Sequence, residues 1–171
     1  MNLRTLLDVL CRMPHSTLRI WYERGDMVNW DRSVLGKEFA RMEQYVTRDM
    51  LLDYAELMGT TNLLYLDAEA ARARGYRDII ALPTFVTAQG AQPLLPPALD
   101  FKGMGINAGY ECIFHGVVYP GDTLIYSTCL ADFYDKTGRS GTMRFVVRET
   151  TITNQHHEVV AVMRNPFILA W

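Results

Sequence analysis

Cysteine is scarce in this chain of 171 residues: Cys11, Cys112 and Cys129 are an odd number without C-x-x-C spacing. That argues against a disulfide framework and fits a reducing compartment, so a cytoplasmic location is expected. Charge of one sign is lacking as well. The 17 Lys and Arg and 19 Asp and Glu are mixed along the chain and leave a net charge of −2, so there is no broad basic face for nucleic acid. No apolar run approaches the roughly 18 to 20 residues of a membrane span, and the N-terminus lacks the basic, apolar and small-residue order of a signal peptide. No low-complexity linker divides the chain. What is present, 49% hydrophobic and 21% charged residues, describes one compact soluble domain with a sizeable core.

The first half reads as helical. Leu3, Leu6, Leu7 and Leu10 lie at helical spacing, which predicts a short amphipathic helix within an N-terminal extension, residues 1–33. "GKEFARMEQYVT" alternates as a strand. "RDMLLDYAELMG" carries a helical stripe of Leu51, Leu52, Ala55 and Met58 closed by Gly59. "DAEAARARGY" begins at an N-cap, Asp67, and stops at Gly75. "TFVTAQGAQPLLPP" is apolar on most sides, with Thr84 as N-cap. It is expected to be a buried helix from Thr84 to about Leu95, ended by Pro93 or Pro96.

The second half reads as strands. "NAGYECIFHGVVY", "DTLIYSTCLADFYD", "SGTMRFVVRETTITN" and "EVVAVMRNPFILAW" are separated by the turn signals "PGD", "KTGRSG" and "NQHH". The expected architecture is α+β: a curled antiparallel sheet wrapped around a buried central helix, the hot-dog fold, over residues 34–171. "KGMGINAG" has neither the lysine nor the strand-to-helix context of a phosphate loop and is expected to be a loop.

Four segments, "YAELMG", "YLDAEAARARGYRDIIALPTF", "PGDTL" and "DKTGRSGTMRFVVRETTITNQ", in this order and spacing, resemble the MaoC-like dehydratase superfamily. The likeness runs from Gly36 to about Leu169 and is strongest to the N-terminal-domain branch related to fatty-acid-synthase dehydratase subunits. The resemblance implies an (R)-specific enoyl-thioester hydratase or 3-hydroxyacyl dehydratase subunit acting on an acyl-CoA or acyl-carrier-protein thioester. It also implies pairing with a second hot-dog subunit, as heterodimer or homodimer.

Active members of the family carry Gly-Asp-x-Asn-Pro-aliphatic-His where this chain has "GTTNLLY". Gly59, Asn62 and Leu64 agree, whereas Thr60 replaces the acid, Leu63 the proline and Tyr65 the histidine. Hydration needs one group to take a proton from water and another to deliver one to the α-carbon; Asp and His suit both near neutral pH. Threonine cannot act as that base, and tyrosine, with an ordinary pKa of about 10, is a poor one. The resemblance further implies that the N-terminus of the buried helix, at Pro83, Thr84 and Phe85, points N–H groups at the thioester carbonyl. Asn62 and Gly90 complete the candidate substrate-binding residues; close packing against a strand is the alternative for Gly90.

Three functions stay open on the sequence: a subunit supplying scaffold and acyl channel to a catalytic partner, a non-catalytic thioester-binding homodimer, and a site repurposed for another acyl-thioester or polyketide reaction through Tyr65. No metal or cofactor is expected. His156 and His157 suit a surface turn, His115 a structural role in a strand, and Asp122 the shaping of a turn. Cys112, Cys129 and Ser140 lack the context of a nucleophile.

Overall fold

The computed structural model describes residues 30–88, 93–99, 101, 103–138 and 141–170. The proposed helix at Leu3–Leu10, and Cys11, Gly90 and Ser140, lie outside them. Strand β1 (Glu38–Tyr45) leads to helix α1 (Arg48–Leu57), α2 (Ala68–Ala73) and α3 (Pro83–Thr87). Then come β2 (Met104–Asn107), β3 (Glu111–Phe114), β4 (Thr123–Gly138), β5 (Gly141–Thr153) and β6 (Val159–Ala170). The strands form one antiparallel sheet in the order β1-β4-β5-β6-β2, with β3 also on β6.

Local signals set the helix boundaries. Asp67 accepts the Ala70 N–H at 2.8 Å and caps α2. Gly59 and Gly75, at φ +65° and +90°, follow α1 and α2 in a left-handed conformation that a Cβ disfavours. Alternation sets the strands. Leu124, Tyr126, Thr128 and Leu130 of β4 face inward. Continued alternation would next bury Asp132, but a register shift between Leu130 and Asp132 turns Phe133 into the core instead.

The concave face of the sheet carries two separate apolar clusters. The first joins Val46, Leu51 and Ile79 to Leu124, Tyr126, Ile152 and Met163, and α3 lies on it through Phe85 and Val86. Tyr126 Oη donates to Val86 O at 3.2 Å, and Tyr54 packs edge-on to Phe85 with ring centroids 5.4 Å apart. The second joins Trp30, Leu95, Leu130, Phe133, Val146 and Leu169. Between them runs a polar band of Thr128, Thr150, Arg148 and Asn165, the last opposite Arg148 in the β5–β6 register. Among the described residues no helix is long and apolar enough to cross a membrane.

Four sequence expectations are corrected. The helix expected over Thr84–Leu95 is helical only as Pro83–Thr87 in the described residues, with Leu94 and Leu95 in a bend. Its N-cap is Leu82 rather than Thr84: Pro83 takes the first helical position, where its missing N–H costs nothing, and Thr84 is exposed. At the other end the Thr87 hydroxyl donates to Thr84 O at 3.2 Å and competes for the carbonyl of the last turn. "MGIN", expected within a loop, is strand β2, because β6 offers it a ladder from Phe167 to Ala170. Gly105 belongs there on steric grounds: a Cβ would fall 2.4 Å from Leu94 Cδ2. "NAGYECIFHGVVY" is not one strand. β3 spans Glu111–Phe114, and His115 lies beyond it, exposed.

Candidate functional site

The segment Gly59–Tyr65 is folded by its own polar side chains. Thr60 Oγ1 accepts the Asn62 N–H at 3.3 Å, and Asn62 Oδ1 accepts the Leu64 N–H at 3.1 Å, capping a single 3-10 turn of Leu63–Tyr65. Asn62 O receives the Tyr65 N–H at 3.1 Å. Thr60 and Asn62 are thus engaged in holding the loop. Leu63, the residue in place of proline, is the first residue of the turn, a position proline itself favours, so the loop keeps a shape compatible with proline. Tyr65 is half-buried.

The loop is tied to the approach to α3. Ile80 donates its N–H to Leu64 O at 3.0 Å, and Ala81 donates to Val118 O at 2.8 Å. The structure therefore joins the Thr60–Tyr65 segment to the stretch leading into Pro83, Thr84 and Phe85. Within the first turn of α3, Pro83 has no N–H and Phe85 donates its own to Leu82 O at 2.9 Å. That leaves the Thr84 N–H as the first-turn donor. Phe85 is a core residue, 3% exposed.

A cavity of about 190 Å³ lies past the other end of α3, over the polar band. Thr87, Asn107, Tyr110, Arg148, Thr150 and Asn165 are among its lining. Burial pushes the Arg148 guanidinium below its usual pKa and the Tyr110 phenol above its own. Sequence inspection missed these residues. The available signal was a charged and an amide side chain, Arg148 and Asn165, on the inward phase of strands whose neighbours there are Val146, Thr150, Met163 and Phe167.

The other candidates are dispersed. Asp122, 5% exposed, accepts the Tyr119 N–H at 2.8 Å and the Arg77 guanidinium at 2.7 Å, which fixes the turn before β4. His156 and His157 are exposed in the β5–β6 turn, organised by Asn154 Oδ1 accepting the His156 N–H at 2.9 Å. Burial raises the pKa of both the Cys112 and Cys129 thiols, which disfavours the nucleophilic thiolate. Among the described residues no three His, Cys, Asp or Glu side chains converge as a metal site.

Comparison with known proteins bears on the family and the fold. The family model for the FAS1-like dehydratase domain region matches residues 33–163. A UPF0336 protein of Streptomyces avermitilis is 44% identical over 94 residues, 50% of this chain and 56% of its own length. The probable enoyl-CoA hydratase alpha subunit of Thermomonospora curvata is 29% identical over 153 residues, 79% of this chain and 48% of its own. The chain thus spans about half the length of these curated relatives. Among solved structures, a MaoC-like dehydratase from Rhodospirillum rubrum superposes with TM-score 0.65 at 22% identity, covering 80% of this chain and 92% of that one. The ChsH1-ChsH2 complex from Mycobacterium tuberculosis gives 0.64 at 23%, covering 75% and 82%. The HadBC (3R-hydroxyacyl-ACP dehydratase) complex from the same organism gives 0.58 at 20%, covering 78% and 99%. At these identities the superpositions establish the fold, and it is the hot-dog fold.

Proposed function

Because this chain belongs to the FAS1-like dehydratase-region family, with the fold of the MaoC-like hydratases and dehydratases, we propose that it is the non-catalytic subunit of a heteromeric (R)-specific enoyl-thioester hydratase or 3-hydroxyacyl dehydratase. It supplies scaffold and acyl channel, and a second hot-dog subunit supplies the acid and base. The carrying observation is the loop Gly59–Tyr65, where Thr60 and Tyr65 stand at the acid and base positions and the Thr60 hydroxyl oxygen is held by the Asn62 N–H.

The chemistry explains why that matters. In hydration of a trans-2-enoyl thioester a base takes a proton from water as oxygen bonds to C3; negative charge moves onto the thioester oxygen, and a proton is delivered to C2. The partner's carboxylate and imidazole perform both transfers in this proposal. On this chain the Thr84 N–H is the donor offered to the thioester oxygen, with Pro83 and Phe85 shaping its surroundings.

A partner is supported by the two sheet edges, which differ. Along β1, Arg41 pairs with Glu38 and Glu43, each at 3.7 Å, and a charged edge resists pairing. Along β2 and β3, Ile106, Ile113 and Phe114 are 48%, 53% and 44% exposed. Large exposed apolar side chains along a free edge mark an interaction surface. Two fold neighbours, ChsH1-ChsH2 and HadBC, are named as two-component complexes.

The test is hydration of crotonyl-CoA by the pure chain, by a hot-dog partner with an intact Asp and His, and by the two together. The chain alone is expected to match background, since positioned acid–base catalysis is typically worth about 10² to 10⁴-fold and its agents are absent. The combination should exceed the partner alone. Thr60→Asp with Tyr65→His should recover hydration in the isolated chain, because the loop already has the proline-compatible turn. Turnover by the pure wild-type chain that disappears in Tyr65→Phe would instead establish a repurposed site. Stoichiometric thioester binding with no partner-dependent rate would establish a binding homodimer.

A further inference from the structure

We propose that the polar band under α3 binds a carboxylate carried on the far end of a short acyl chain. This rests on the acyl-thioester function proposed above and names the substrate class. The band interrupts an otherwise apolar concave face, between the cluster around Tyr126 and Met163 and the cluster around Leu130 and Val146. A purely hydrocarbon tail would be served best by continuous apolar lining, since polar groups facing an apolar ligand lose their water without compensation. Here the cavity over the band brings hydrogen-bonding groups from four elements, Thr87 of α3, Asn107 of β2, Thr150 and Arg148 of β5, and Asn165 of β6, together beside Ala88, Tyr126, Met163 and Phe167. Tyr110 joins them from the break between β2 and β3.

The sign of the site follows from the same residues. Its charged group is a guanidinium, and the described lining contains no acidic side chain. Arg148 lies partly buried over the Phe167 ring, 5.2 Å from its centroid, with Nη1 donating to Pro93 O at 3.1 Å. Asn107 uses its side-chain carbonyl to accept the Gly109 N–H at 2.9 Å, which leaves its amide hydrogens as donors. Tyr110 Oη reaches a weak acceptor, Met163 Sδ, at 3.0 Å and shares a side-chain hydrogen bond with Thr87, so the hydroxyl sits within the polar band. Donors around one cation suit an oxyanion, and a guanidinium in a partly dehydrated site matches a carboxylate best.

Size and place set the chain length. A volume of about 190 Å³ equals about six waters at roughly 30 Å³ each, room for a carboxylate and a few methylenes. Thr84, where the thioester is placed, and Thr87, which lines the cavity, are on one turn of α3 and share the 3.2 Å hydrogen bond from Thr87 to Thr84 O. A thioester held at one and a carboxylate beyond the other are separated by only a few carbons.

The test compares glutaryl-CoA with pentanoyl-CoA, which have equal carbon counts and differ at the far end, by calorimetric titration of the full chain. Free glutarate, followed through the Asn165 side-chain amide NMR signal, reports the band without the thioester. Wild type should bind glutaryl-CoA about tenfold or more tightly than pentanoyl-CoA, the factor one charge-assisted hydrogen bond supplies. Arg148→Met should reverse that preference. Tyr110→Phe, at a half-exposed edge position that tolerates change, should reduce it severalfold in a chain with unaltered melting temperature. Equal binding of the two thioesters would overturn the carboxylate site while leaving acyl-thioester function standing. Glutarate binding lost in Arg148→Met, with neither thioester bound, would keep the site and overturn the thioester function. A folded chain that binds none of the three would overturn both.

Discussion

Thr128 and Thr150 face each other across β4 and β5 with their hydroxyl oxygens 2.9 Å apart, 0% and 2% exposed. Thr150→Val keeps the shape of the side chain and strands the Thr128 hydroxyl in a site closed to water. A buried hydroxyl left unsatisfied costs about 1 to 3 kcal/mol, and Thr128→Val should cost less, because the Thr150 hydroxyl it leaves borders the cavity over the polar band. The double variant removes both polar groups together, and an apolar pair of the same shape should lie within about 0.5 kcal/mol of wild type. For a domain of this size about 1 kcal/mol moves the melting temperature by roughly 2 to 4 °C, so Thr150→Val should melt about 2 to 12 °C lower, Thr128→Val should fall less, and the double variant should stay near wild type. Urea unfolding followed by the fluorescence of Trp30, buried in the second cluster, measures all four corners of the cycle. A double variant as unstable as the sum of the two singles would refute the reasoning, because it would mean that the hydroxyls answer to water in the adjoining cavity rather than to each other.

Two further outcomes follow from charge and from the free edge. The Arg144 guanidinium, hydrogen-bonded to Asp135 through Nε at 2.8 Å and Nη2 at 2.9 Å, holds the Asp135 carboxyl below its ordinary pKa. A depressed carboxylate contributes its stability in full above the unfolded value of about 3.9 and loses it as pH falls through the lower folded value, so melting temperatures below about pH 4 should fall more steeply for wild type than for Asp135→Asn; parallel curves would count against the pair. Ile113→Lys, on the exposed face of β3, should weaken assembly roughly tenfold or more without lowering the melting temperature, as read by light scattering with and without the partner; unchanged assembly would exclude that edge.

Features encoded within a few residues were legible in the sequence. Gly59, Asp67 and Gly75 mark helix ends because a cap is a contact between near neighbours. The alternation of β4 to β6 shows because one face of each strand is buried. The altered pair Thr60 and Tyr65 showed through resemblance, since spacing within one loop survives when distant contacts change. What stayed hidden depends on partners remote in the chain. Nothing within "MGIN" announces a strand whose ladder is supplied by Phe167–Ala170, and Gly105 disguises it by admitting Leu94. The shift that exchanges Asp132 for Phe133 in the core is set by pairing with β5. Arg148 and Asn165 carry no local mark of an inward position because neither is apolar; only the register that sets them opposite each other on the concave face gives them a common role.

The outer ladder on β6 is broken at Pro166. Its carbonyl accepts the Ala108 N–H at 2.9 Å, and in an antiparallel ladder a residue's N–H and C=O point to the same neighbour. The donor that proline lacks is therefore missing on the outer side alone, and the pairing of Pro166 with Val147 of β5 is undisturbed. Three residues, Ala108–Tyr110, stand opposite two, Asn165 and Pro166, so the outer strand buckles between Asn107 and Glu111. A strand laid against this rim meets two short landings separated by a step. One shaped to that step can dock along the whole length, whereas a long flat strand loses its register midway. Indefinite stacking of sheets through the rim is thus interrupted by shape, where the β1 side relies on charge.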